Sequence, residues 1–210
     1  MARVVPVPPA QWPSQMAEAL AALRPADARY RAPTRQGRPK GLNILGTLAH
    51  HPALARAYHV FNGHVLFSTT LTERQRELVV LRVAAVRRAE YEWRQHAVLA
   101  GDVGISEEEL GAVAEGPDAP LWQLPEVTLL RAVDELVAGA SLSEETWEAL
   151  AGSLTTEQAM DLVFTVGAYD LLAMVLGAFE VELDDDLADV GPSPFAGRPG
   201  PAEAGRGGPA

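Results

Sequence analysis

Glu92 and His96 lie four residues apart in the segment Glu-Tyr-Glu-Trp-Arg-Gln-His, so on a helix they occupy one face. A carboxylate and an imidazole held side by side can move a proton near neutral pH. Upstream, Glu77 stands at the start of an apolar run, Leu78 to Val86. If buried, its pKa would rise by desolvation unless Arg76 or Arg82 offsets that. From a neighbouring helix Glu77 can face His96 as a relay acid. The plainer alternatives are a surface glutamate in a first helical turn and an ordinary exposed i, i+4 pair. Tyr91 and Trp93 flank the pair and point to a partly buried setting with substrate contacts.

Other residues could wall a pocket. Asn62 and His64 interrupt a helix otherwise built for packing. A histidine in such a place is more often a satisfied core residue than a ligand-binding one. Tyr169, next to Asp170 in the apolar last helix, has the same two readings. Arg29, Arg31, Arg35, Arg38 and Lys40 form the local basic cluster, a solvated loop or a grip for an anionic substrate. Arg82 is a second candidate for that grip. Glu92-x-x-x-His96 could contribute to a metal site with His50, His51, His59 or His64, but no spacing of the zinc or iron type is present. The reading therefore assigns no metal and no cofactor.

The composition sets limits. The 210 residues suffice for one large domain, and 48% are hydrophobic, enough for a real core. A net charge of -11 disfavours nucleic acid, which needs a basic face. There is no cysteine, which excludes disulfides, thiolate metal sites and thiol redox chemistry. No apolar run of roughly 18 to 20 residues stands out as a membrane span, and no secretory signal is evident. A soluble cytoplasmic protein with no membrane partner is expected.

These residues need helices to position them. Period-two alternation is absent, so the fold class is all-α. Residues 1 to 12 are proline-rich and read as an extended arm on the body of the fold or on a neighbouring subunit. A helix pattern covers Gln15 to Leu23, and a long Arg- and Pro-rich loop follows to Pro39. Further helices are expected over Leu42 to Leu48, about Ala53 to Phe67, about Thr72 to Val86, and Glu90 to about Ala100 with Gly101 as C-cap. Ser106 opens another that ends before Gly116. The remaining helices run from Pro125 to Val137, from Ser143 to Leu150, and from Glu157 to about Phe179. The last is strongly apolar, as befits a central buried helix. Thr72 with Gln75 and Thr70 with Glu73 are rival caps for the fourth helix. One helical domain, 13–187, and a disordered tail, 188–210, complete the organisation.

The segments RELVVLRVAAVRRAEYEWRQHAVLAGDVGIS, GLNILGTLAHHPALARAYHVFNGHVLF and DLVFTVGAYDLLAMVLGAFEVELDD resemble the carboxymuconolactone decarboxylase family, which is related to the AhpD alkylhydroperoxidase-like proteins. The likeness covers about residues 10 to 187. It implies an AhpD-like all-α fold assembled as a homo-oligomer, a trimer or hexamer, with sites near subunit contacts. In the peroxidase branch a Cys-x-x-Cys pair precedes the histidine and a distant glutamate relays protons. That histidine matches His96 and that glutamate Glu77, while the cysteine positions match Ala89 and Glu92. Family members often carry a glycine near position 88, where this chain has Arg88.

The resemblance implies a cofactor-independent lyase rather than a thiol peroxidase. Its substrate would be a small carboxylated lactone or unsaturated carbonyl compound, as in 4-carboxymuconolactone decarboxylase. His96 would donate the proton, Glu92 would set its tautomer and charge, and Glu77 would complete the relay. An isomerase, hydrolase or cyclase of secondary metabolism could use the same groups, and a non-catalytic oligomeric binding protein could keep the fold. Convergence of Glu77, Glu92 and His96 on one enclosed pocket separates the enzyme readings from the last.

Overall fold

The computed structural model describes residues 1–30, 38–187, 190 and 193–195. Its α-helices are α1 (Gln15–Ala21), α2 (Leu42–Leu48), α3 (Pro52–Gly63), α4 (Glu73–Arg87), α5 (Glu90–Asp102), α6 (Glu107–Glu115), α7 (Leu124–Gly139), α8 (Glu144–Ala151) and α9 (Thr156–Phe179). No strand occurs among the described residues.

Local chemistry fixes most helix starts. Thr72 accepts from the Gln75 amide while the Gln75 side chain accepts from the Thr72 amide, a reciprocal capping box that starts α4. Ser106 with Glu109 and Thr155 with Gln158 do the same for α6 and α9. Ser143 caps α8. Pro52 occupies the first turn of α3, whose missing N–H would have no helical partner in any case. Helix α3 passes directly into a π-helical turn, His64–Ser68, so the expected continuous helix to Phe67 changes its winding at His64. At the other end of α5, Val103 rather than Gly101 is the C-cap.

Helix α4 forms the axis of the fold. Leu78, Val79, Val80, Leu81, Val83 and Ala84 are all buried, and α5, α6, α7 and α9 pack around it. Val79, Val80 and Val83 join Leu129, Val133, Leu162 and Val166 in one core cluster. Leu78, Leu81 and Ala84 join Trp93, Val113, Trp122 and Leu130 in another. Arg88 then ends α4 in a left-handed conformation (φ 55°), where glycine is the usual residue. This tight turn folds α5 back against α4 and sets the site residues of the two helices face to face.

Helix α9 lies along α4 with Leu162, Thr165, Val166, Ala168 and Tyr169 buried. Met160, Val163, Phe164, Leu171 and Met174 on its other side are exposed. Contrary to the sequence expectation, α9 is long and apolar enough to cross a membrane by length and composition, with mean hydropathy 1.9. An average over the helix tolerates its isolated acids, Asp161 and Asp170, which an uninterrupted-run criterion does not. Both acids are bonded to other elements, Asp161 to Thr70 and Asp170 to Arg87.

The N-terminal arm lies on the body. The Arg3 amide donates to the Phe179 carbonyl and the Val7 amide to that of Gly46. A β-carbon at Gly46 would stand 2.7 Å from the Val7 carbonyl oxygen, so only glycine permits this contact. Pro9–Gln11 within the arm is a short 3-10 turn rather than extended chain. Of the tail expected to be disordered, Phe195 packs edge-on against Trp93 at 6.0 Å, and the Val190 carbonyl accepts from Arg94. Residues 188–189, 191–192 and 196–210 lie outside the described residues.

Candidate active site

His96 projects from α5 toward α4, where its Nδ1 donates to Oε2 of Glu77 at 2.6 Å. Arg76 binds the other oxygen of the same carboxylate, from Nη2 at 3.0 Å and Nε at 3.2 Å, and donates from Nη1 to the Leu66 carbonyl at 2.7 Å. All three side chains are buried. Burial opposes a charge on Glu77, but the neighbouring His96 and Arg76 outweigh it and hold the carboxyl below its ordinary range. A carboxylate acceptor on Nδ1 places the ring proton there and leaves Nε2 for other chemistry. Tyr169 packs edge-on against the imidazole, with ring centroids 5.0 Å apart.

Glu92 shares the helix with His96, yet its partner role falls to Glu77. Both Glu92 oxygens are buried without any hydrogen-bond partner. Burial, and secondarily the charge of Asp170, push its carboxyl well above the carboxylate range. Burial thus favours the protonated form of Glu92, the form that has a proton to donate. The expectation that Glu92 sets the tautomer of His96 is corrected by this geometry. Common-face spacing brought the two side chains to one wall, whereas the packing of α4 onto α5 supplied the bonded acid.

Both Glu92 and His96 line a cavity of about 220 Å³, partly open to solvent, walled by α2, α3, α5, α9 and residues 39–41. Tyr91, Asn62 and Tyr169, named from the sequence, also line it. The Tyr91 hydroxyl donates to Asp184 at 2.6 Å, tying α5 to the segment after α9. Oδ1 of Asn62 and Nε2 of Gln95 are buried without partners. Desolvation, and secondarily Glu92, raise the Tyr58 phenol, which stays protonated as a further donor. His59 donates from Nδ1 to the Ala19 carbonyl at 2.9 Å, and burial lowers its pKa, so its ring is held neutral.

Sequence reading missed Tyr58, His59 and Gln95 as cavity residues. The spacing of Tyr58, His59 and Asn62, three and four apart on α3, was the available signal. Of the residues named from the sequence, Glu77 reaches the cavity only through His96, and three others lie elsewhere. Arg82 pairs with Asp134 and donates to the Val113 and Ala114 carbonyls, tying α4 to α6 and α7. His64 faces away, its Nε2 2.7 Å from Asp161 and its side chain half exposed. Trp93 is buried in the second core cluster under Phe195. In the basic cluster, Lys40 is exposed and lines the cavity, Arg38 pairs with Asp102, and Arg29 stacks on Tyr30. Arg31 and Arg35 lie outside the described residues.

Residues 52–135 match the model of the carboxymuconolactone decarboxylase family. No curated protein sequence matches the chain. Among solved structures, the debrominase Bmp8 is similar with a TM-score of 0.67 at 15% identity, covering 88% of this chain and 93% of that one. The alkylhydroperoxidase AhpD core protein from Ralstonia eutropha JMP134 gives 0.62 at 20% identity, covering 76% and 94%. A protein of unknown function from Agrobacterium tumefaciens, described as an AhpD antioxidant defence protein, gives 0.61 at 19%, covering 65% and 94%. At these identities the likeness is one of fold. Neither Ala89 nor Glu92, where the resemblance puts a cysteine pair, supplies a thiol, and the sequence has none. Residues 52–135 thus carry a likeness to the carboxymuconolactone decarboxylase family, within an AhpD-like helical fold and a sequence without cysteine.

Proposed function

We propose that the protein is a cofactor-independent lyase acting on a small carboxylated lactone or unsaturated carbonyl compound. One observation carries this reading: His96 lines the cavity beside Glu92, whose carboxyl burial pushes high, and bonds behind the wall to Glu77, whose carboxyl is held low and does not itself line the cavity. Environments that drive two acids apart assign an acid and a base without any cofactor.

In the proposed reaction the bond between a substrate carbon and its carboxylate breaks and CO2 departs. The electron pair flows into the conjugated carbonyl, giving an enolate. Glu92, protonated, donates a hydrogen bond to the oxygen where charge develops. His96 delivers a proton from Nε2 to carbon, while Glu77 holds Nδ1 and balances the charge that the ring carries before transfer. The proton lost from Nε2 is replaced from solvent. Lys40, exposed beside the cavity, attracts the anionic substrate.

Size agrees with this class. A cavity of about 220 Å³ is smaller than the roughly 300–1,000 Å³ of drug-sized sites, so its occupant is small. The structurally similar debrominase is described in complex with 2,3,4-tribromopyrrole, a five-membered heterocycle, and a lactone ring is of comparable size. Incubation of the protein with 4-carboxymuconolactone, followed by ultraviolet absorbance, tests the reading. Loss of substrate that disappears in His96→Ala supports it; no loss with the native protein removes the decarboxylase assignment.

A further inference from the structure

Gln95 has no part in the relay, yet its amide nitrogen is buried without a hydrogen-bond partner in the wall of the same cavity. An orphaned buried donor costs stability, by the desolvation it suffers, unless something else meets it. It stands three residues after Glu92 on α5, so the two side chains share a helix face. Opposite lies Gly41, the left-handed N-cap of α2 (φ 65°). A β-carbon there would stand 3.1 Å from the Gln95 nitrogen, so the bare glycine leaves the amide room.

The charge pattern of the wall narrows what the donor meets. Among the described residues lining the cavity, Lys40 is the one with a side chain permanently cationic, and it is exposed. The buried donors on this face of α5, the Glu92 acid and the Gln95 amide, donate in their neutral forms. Two neutral donors on one face suit an oxygen that is uncharged on arrival and gains charge only during reaction. A carboxylate placed there would gain no opposite charge from either donor.

We propose that Gln95 and Glu92 together form the oxygen-binding site of the cavity, which accepts the carbonyl oxygen of an unsaturated lactone or conjugated ketone and holds it as the enolate. This deepens the lyase reading and rests on it for the enolate, but the oxygen site itself can be tested without turnover. Gln95 is then a catalytic residue, because it touches the reacting carbonyl.

The test uses the full chain labelled with 15N and two probes, α,β-butenolide and furan, which share ring size but differ in the carbonyl. The Gln95 side-chain amide signal is assigned by its absence in Gln95→Met. Butenolide should shift that signal in the native protein and furan should not. Gln95→Met should weaken butenolide binding about tenfold, the worth of one hydrogen bond, and leave furan binding unchanged. The same variant should melt higher than the native protein, because it removes an orphaned donor, a result that a purely structural role for Gln95 would reverse. No butenolide shift at millimolar concentration, an equal shift with furan, or unchanged butenolide affinity in Gln95→Met each overturns the proposal. The two readings fail separately. A butenolide shift without turnover of 4-carboxymuconolactone sustains the oxygen site and removes the lyase, whereas turnover with kcat intact in Gln95→Met does the opposite.

Discussion

Replacing Glu92 by Gln should stabilise the protein increasingly as pH rises. Both Glu92 oxygens are sealed from solvent without a partner, and burial followed by the Asp170 charge raises the carboxyl well above its ordinary 4.5. The folded state therefore binds a proton that the unfolded chain releases above pH 4.5. Stability falls with pH wherever the folded state binds more protons, here from the unfolded value up to the raised folded one. One proton of difference gives a slope approaching about 1.4 kcal/mol per pH unit. Glutamine carries no titrating proton, so Glu92→Gln lacks this loss. The difference in unfolding free energy between variant and native protein should thus grow with pH across that window. Its offset at pH 4 reflects only the exchange of an acid for an amide. Urea unfolding at fixed protein concentration, in steps from pH 4 to pH 8, measures the difference, and the Glu77 contribution cancels because both proteins retain it. A difference that stays flat across this range, or shrinks as pH rises, would refute the claim that Glu92 is a neutral acid.

Two further outcomes follow from the same contacts. Glu77→Gln removes the carboxylate that pairs with buried Arg76 and His96, and should cost about 3–5 kcal/mol near neutral pH in urea unfolding. Because the folded carboxyl sits below its ordinary value, this contribution is present above the unfolded pKa and disappears as pH falls through the folded one. The homo-oligomer expected of the family should bury the exposed apolar side of α9, so Phe164→Glu should lower the native mass measured by light scattering; an unchanged oligomer would place the interface elsewhere.

Much of the architecture was legible because helix starts are local. Thr72 with Gln75, Ser106 with its following acids, and Pro52 act through bonds made within one turn, so short segments contain the whole cause. Arg88 was harder to read, because a left-handed cap without glycine is strained locally and must be sustained by the packing of α4 on α5. The same division runs through the site. Family resemblance connected Glu77 to His96 across two helices, while spacing alone paired His96 with Glu92.

The sequence by itself determined that the protein has no thiol chemistry, that helices carry its acids and its histidine, and that Tyr91 and Glu92 share a helix with His96. Only the tertiary structure decided which acid bonds His96, which one burial pushes toward its protonated form, and which polar atoms are left unpartnered in the cavity. It also sent Arg82 to Asp134, His64 to Asp161 and Trp93 into the core, away from the cavity. The reason is physical. Helical periodicity fixes the direction of a side chain about its own axis, but desolvation and hydrogen bonding depend on what the other helices bring against that face.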